Sequence, residues 1–258
     1  MCLCVGNVVG SNIFNLTFIL GLTALIRPPV IQGNTARLEY PVLTLATLMF
    51  LAVSQDLSVN WLDGPRFVTF FIGFMTYAVS LVRRQMGFEE LAEFEAELEE
   101  LGAGDGPGWL RITLCTVVGL LLLAGGANLT VQGATDLARV FGLSELIIGL
   151  TIVAGGTSLP EVAASLVAVL RGRDDVAVSN IVGSNLFNLL GILGLSSLLD
   201  ALPIAESLFY SDSLWMMGVT VALLPVIFLQ RRLYRWEGAA LLAAYLAYIY
   251  FLVSQALR

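Results

Sequence analysis

The strongest constraint on how this chain folds is a series of apolar runs, each about 20 residues long and each closed by charged residues or helix breakers. Eight runs are read, at 5–26, 39–55, 65–83, 109–132, 143–170, 175–199, 212–230 and 236–256. Arg27-Pro28-Pro29, Asp63-Gly64-Pro65, the cluster Gly104–Gly108, Gly172, Pro203 and Arg231-Arg232 separate them, and these are residues that end or kink helices. In hydrocarbon every backbone polar group must be satisfied within its own segment, so such runs cross as helices. Only 13% of the residues are charged, against about 25% in a soluble domain. The expected fold class is an all-α polytopic membrane protein.

The net charge of −7 does not describe the whole molecule, because residues 85–106 hold eight acids and no base. The remainder has 12 acids against 13 arginines, so the acidity says nothing about an anionic or cationic partner, and no nucleic-acid partner is inferred. Loops after runs 1, 3, 5 and 7 carry ten arginines and the opposite side three, which places the former in the cytoplasm. Within the acidic stretch, Phe88, Leu91, Phe94, Leu98 and Leu101 share one helical face. That stretch reads as a solvated amphipathic helix lying against the membrane domain, in preference to a regulatory calcium sensor. The chain has no Lys and no His, which removes the usual imidazole proton shuttle and metal ligand. Cys2, Cys4 and Cys115 are too few for a disulfide framework or a zinc site.

Gly6-Asn-Val-Val-Gly-Ser-Asn-Ile-Phe-Asn15 recurs as Ser179-Asn-Ile-Val-Gly-Ser-Asn-Leu-Phe-Asn188, at an offset of 173 residues. Two runs follow each copy; two precede the second copy and none precedes the first. A complete unit would have five spans, and an odd number inverts the second unit relative to the first, as in secondary transporters. The division expected is 1–84 for a first repeat of three spans, 85–108 for the acidic loop and 109–258 for a second repeat of five.

The strongest chemical constellation is Ala154-Gly-Gly-Thr-Ser-Leu-Pro-Glu161, in the middle of the fifth run. Pro160 removes a backbone donor and clashes with the preceding turn, which frees carbonyls at membrane depth. The i, i+4 and i, i+3 spacings put Thr157 and Ser158 on the face of Glu161. A carboxylate, hydroxyls and carbonyls form the all-oxygen shell that a hard cation prefers. Glu161 reads as the only acid deep inside a span, and such an acid is by default a functional residue. The copies add two stripes at i, i+4, i+8, Asn7/Ser11/Asn15 and Asn180/Ser184/Asn188. Ser11, Asn15, Ser184 and Asn188 read as ion contacts, while Asn12 and Asn185, off the stripe, read as helix packing.

Gly156-Thr-Ser-Leu-Pro-Glu161, followed by Gly183-Ser-Asn-Leu-Phe-Asn188, resembles an α-repeat of the cation/Ca²⁺ antiporter superfamily, in its sodium/calcium exchanger branch. The resemblance implies ten spans in inverted five-helix repeats, of which this chain supplies the third to the tenth. It implies that Glu161 is one of two glutamates holding Ca²⁺, with Thr157 and Ser158 contributing oxygens. It further implies that Ser184, Asn188, Ser11 and Asn15 contact the ions from the neighbouring helices, and that the second glutamate and a gating helix belong to segments before residue 1.

The expected function is antiport of calcium against sodium, in a bacterial or archaeal cytoplasmic membrane, with Ca²⁺ and Na⁺ as transported ions and no cofactor. Beyond the lipid bilayer, no obligate protein partner is inferred. Coupling to protons or potassium, a fragment that is inactive without those preceding helices, and a passive channel are the competing transport readings. A hydrolase built on Ser158 is disfavoured, since no base partner is apparent.

Overall fold

The structure is a computed structural model that describes residues 2–31, 33–85, 108–142 and 148–256. The amphipathic helix expected over 88–101 and the start of the expected fifth span, 143–147, lie outside the described residues.

The chain is built of helices α1 Cys4–Ile26, α2 Thr35–Asp56, α3 Gly64–Gln85, α4 Gly108–Val140, α5 Thr151–Thr157, α6 Leu159–Leu170, α7 Asp174–Leu199, α8 Leu208–Gln230 and α9 Arg235–Ala256. Two two-residue strands, β1 Ser58–Val59 and β2 Leu202–Pro203, pair antiparallel. Among the described residues six helices, α1, α2, α4, α7, α8 and α9, are long and apolar enough to cross a membrane. The bent pair α5–α6 makes a seventh. The third expected span, α3, has 22 residues and so the length to cross, about 33 Å. With Arg66, Arg83 and Arg84 near its ends, it is not among the helices that pass on length and composition.

Two boundaries differ from expectation for local reasons. The second helix begins at Thr35, ahead of the expected 39, through a π-helical segment Thr35–Glu39. Pro41 cannot donate into the turn before it, and its ring crowds the carbonyl of Arg37, so that turn widens instead of ending. The fourth helix continues past residue 132 to Val140 because no proline interrupts the sequence before Gly142, whose φ of 76° closes the helix.

The helices α1 and α7, which carry the two copies of the repeated motif, form the centre of the bundle. The apolar stretch of α1 is 78% buried, whereas that of α4 is 6% buried. The main hydrophobic cluster runs from Val5, Val9 and Ile13 on α1 through Tyr40 and Phe50 on α2 to Ile181, Leu189 and Leu193 on α7.

The offset seen in the motif persists through the tertiary structure. β1 meets β2 through Ser58 and Pro203, and Val30 meets Arg232 in an isolated bridge. Each residue of one bridge stands 173 or 174 positions from its counterpart in the other. Ile204 N donates to Leu57 O and Ile31 N to Arg231 O, both at 2.8 Å. Leu57 (φ 58°) and Arg231 (φ 52°) are the two non-glycine residues with positive φ among the described residues. At the helix starts, Asp63 accepts from the Asn60 amide at 3.0 Å and Glu237 from the Tyr234 amide at 2.8 Å.

Two helix crossings repeat as well. A Cβ on Gly21 would lie 2.9 Å from Gly238 O, and one on Gly64 would lie 2.9 Å from Gly194 O. Only glycine lets α1 approach α9, and α7 approach α3, this closely. The bridge through Val30 gathers the arginine-rich exits of α1 and α8 at one end, where Arg27 also pairs with Asp174 at 3.6 Å. The bridge through Ser58 gathers the exits of α2 and α7 at the other.

Candidate functional site

The fifth span breaks where the sequence says it must. α5 ends at Thr157, Ser158 leaves helical geometry (φ −91°, ψ 5°), and α6 begins with Pro160 in its first turn. The axes of the two halves differ by 47°. Ser158 is buried at the break. Val131 on α4 crowds the Gly156 Cα, leaving no room for a side chain there.

Glu161 lies in the first turn of α6. It lines a cavity of about 330 Å³ with Asn180, Gly183, Ser184, Phe187 and Asn188, all from α7. Its Oε2 is buried and has no hydrogen-bond partner, and no ion pair reaches it among the described residues. A carboxylate oxygen shut off from water without a donor is costly. The neighbouring groups offered to it are a hydroxyl, amides and an aromatic ring, so nothing in the wall neutralises it. Glu161 is the one charged side chain among the residues that line this cavity.

Of the seven residues expected at the site, three therefore come together here, Glu161, Ser184 and Asn188. Ser11 and Thr157 form a second group. Ser11 Oγ donates to the Ala154 carbonyl at 3.2 Å and lies 3.4 Å from Thr157 Oγ1. The Thr157 hydroxyl has the Ala154 carbonyl at 3.1 Å and Asn7 Oδ1 at 3.3 Å as acceptors. The expected alignment of Thr157 and Ser158 with Glu161 is not seen in the cavity wall, since neither lines it. The 47° bend explains this, because an i, i+4 face exists only in an unbroken helix.

The seventh residue, Asn15, is fully buried. Asn15 Nδ2 donates to Asn185 Oδ1 at 2.9 Å, and Asn188 Nδ2 donates to Asn12 Oδ1 at 3.0 Å. Asn12 Nδ2 in turn donates to the Asn185 backbone carbonyl at 3.4 Å. Asn12 and Asn185, expected as helix-packing residues, link α1 to α7 through the two asparagines expected at the ions. Both motif helices widen into π-helical turns at this point, Asn15–Ile19 in α1 and Phe187–Ile192 in α7. Such turns recur at functional sites because the extra residue redirects side chains and frees backbone groups.

Two further acids, at the first positions of the second and seventh expected spans, lie within the opening turns of their helices. Glu39 on α2 accepts from Ser179 Oγ at 2.7–2.8 Å, and Asp212 on α8 is buried and accepts from Tyr248 Oη at 3.0 Å. They lie 173 residues apart, so extending the repeat past its identical residues would have found them as a pair.

The sodium/calcium exchanger protein family matches residues 1–80 and 111–254 of the chain. CaxA of Alkalimonas amylolytica is 40% identical over 254 residues, covering 97% of this chain and 78% of CaxA. The inner membrane protein YrbG of Escherichia coli (strain K12) is 34% identical over 228 residues, 86% of this chain and 68% of YrbG. A solved structure of the sodium-calcium exchanger NCX_Mj, soaked with Na⁺ and Sr²⁺, superposes with a TM-score of 0.76 at 27% identity, covering 96% of this chain and 76% of that one. A family match over most of the chain, on a shared helical exchanger fold, leads to one conclusion: the chain belongs to the sodium/calcium exchanger protein family, integral membrane antiporters for cations and not enzymes.

Proposed function

We propose that this chain exchanges Ca²⁺ for Na⁺ across a cytoplasmic membrane, with the ions held near the bilayer midplane around Glu161. The observation that carries the reading is the buried, unpartnered Glu161 Oε2 on the wall of a cavity that Ser184 and Asn188 share. A cation there would meet one carboxylate and neutral oxygens, the donor set of a hard ion. Ser11, Thr157 and the Ala154 carbonyl form a neighbouring oxygen cluster, suited to a monovalent cation because it carries no formal charge. Asn15 completes the proposed set from the first copy, and Ser158 adds a hydroxyl at the helix break.

Na⁺ and Ca²⁺ would compete for Glu161, so the carrier moves one or the other. A bound cation compensates the carboxylate, and the occupied site can change its side of access; an empty one carries a bare carboxylate that resists burial. Coupling follows from that difference. The name of NCX_Mj supports the pairing of ions, and the place of YrbG in an inner membrane supports the location. We further propose the division into a first repeat at 1–84, an acidic loop at 85–108 and a second repeat at 109–258, on the strength of the paired bridges and glycine crossings.

The test is ⁴⁵Ca²⁺ uptake into proteoliposomes loaded with Na⁺. Wild type should take up calcium only when sodium runs outward, and Glu161→Gln should lower the rate by about 100-fold or more, beyond the 10–100-fold typical of outer-shell changes. Uptake driven equally well by a proton or potassium gradient would overturn the sodium reading, and undiminished uptake by Glu161→Gln would overturn the site.

A further inference from the structure

An ion-binding asparagine carries a difficulty that a carboxylate does not. Its side chain ends in an oxygen and an NH₂ of nearly the same shape. Facing a cation, one orientation attracts and the other repels, so something must fix which end points inward. Asn188 lines the Glu161 cavity, and its Nδ2 donates to Asn12 Oδ1 at 3.0 Å. With the NH₂ so engaged, the oxygen is the end left for the cavity.

The orientation of Asn12 is itself fixed. Its Nδ2 donates to the backbone carbonyl of Asn185 at 3.4 Å. A backbone carbonyl only accepts, so Asn12 must present NH₂ to Asn185 and oxygen to Asn188. The order runs from an unambiguous main-chain acceptor, through one amide, to a second amide on the cavity wall. The mirror-related pair makes the amide-to-amide link without the main-chain anchor. Asn185 Oδ1 accepts from Asn15 Nδ2 at 2.9 Å, which leaves Asn15 Oδ1 buried with no partner. A link serving only to hold helices together would not leave an amide oxygen stranded at the π-turn of the motif helix.

We propose that Asn12 and Asn185 are positioning residues that lock the amides of Asn188 and Asn15 with their oxygens presented to the transported cation. Each lock comes from the opposite copy of the repeat, so each half of the molecule orients the ion-binding amide of the other. The inference rests on the proposed site around Glu161. The two locks also differ. The Asn12 lock is anchored on a main-chain carbonyl, whereas Asn185 Nδ2 is buried without an acceptor. The anchored lock serves the asparagine that faces the open cavity.

The experiment is equilibrium ⁴⁵Ca²⁺ binding to the purified full chain, in a double-mutant cycle between positions 12 and 188. Asn12→Leu keeps the branched outline and removes the acceptor; it should weaken Ca²⁺ binding by about 10- to 100-fold, the usual cost of losing an outer-shell orienting group. Asn12→Asp keeps an acceptor and should not weaken binding. Asn188→Asp presents oxygen whichever way it turns, so in that background Asn12→Leu should cost little. An equal loss in both backgrounds would make Asn12 a merely structural residue and overturn the proposal, as would full affinity in Asn12→Leu alone. If Asn12→Leu does not fold, the mirror cycle of Asn185→Leu with Asn15→Asp carries the same expectations and decides the matter. Glu161→Gln in the same assay separates the two levels. Wild-type affinity there refutes the cavity as the calcium site. Lost affinity there, with additive effects at positions 12 and 188, refutes the locks alone.

Discussion

The two motif helices have almost the same sequence and opposite environments. On α7, Ser184 and Asn188 line a cavity with Glu161. On α1, Ser11 is tied to the Ala154 carbonyl and Asn15 is closed over by Asn185. Residue chemistry cannot account for the contrast, since Gly-Ser-Asn-x-Phe-Asn is common to both. What differs is the helix laid across each copy: the broken α5–α6 brings its carboxylate to one and its hydroxyls to the other. A pseudo-symmetric frame therefore holds an asymmetric centre.

If the frame is symmetric, damage to either half of it should be alike. Gly21→Val and Gly194→Val each push a branched side chain into a crossing where even a Cβ would lie within 2.9 Å of another atom. Each should cost at least about 3 kcal/mol, the upper part of the overpacking range, read as matching losses of thermal stability in detergent. A large loss at one position and none at the other would break the symmetry of the frame.

The asymmetry of the centre makes the reverse forecast for the asparagines. With the native cysteines replaced, Asn188→Cys should react with a polar thiol reagent roughly tenfold faster than Asn15→Cys, since reactivity follows exposure. Added Ca²⁺ should slow the former. Equal rates would show that both copies face water alike.

The smallest effect separates the two serines. Ser11→Ala loses a buried bond to Ala154 and should lower stability by about 0.6 kcal/mol, the mean for such bonds between membrane helices. Ser184→Ala should leave thermal stability unchanged and raise the calcium concentration for half-maximal uptake. A stability loss for Ser184→Ala with unaltered uptake would exchange the roles.

Much of this was legible in the sequence because it is local. Pro160 after Gly155 and Gly156 announced the break, and a glutamate one residue later announced its use. The identical residues of the motif gave the repeat, and the arginines placed the exits of α1 and α8 on one side. What escaped depends on contacts between distant residues or on small differences in helical pitch. The π-turns at Asn15 and Phe187 leave no mark in a pattern read at 3.6 residues per turn. The particular bonds of Asn12 and Asn185 were not legible because their partners lie 176 and 170 positions away. Thr157 was placed beside Glu161 by a helical rule that the 47° bend suspends. Glu39 and Asp212 fell at the edges of the expected spans, where an acid attracts little notice.

A cation bound at Glu161 between α6 and α7 is the centre of the proposed exchange. Anomalous diffraction at long wavelength from crystals soaked in Ca²⁺ locates such an ion directly. The predicted result is a single strong peak about 2.3–2.6 Å from a Glu161 carboxylate oxygen, in the cavity that Ser184 and Asn188 line. Calcium density elsewhere, with that cavity empty at saturating Ca²⁺, would contradict it.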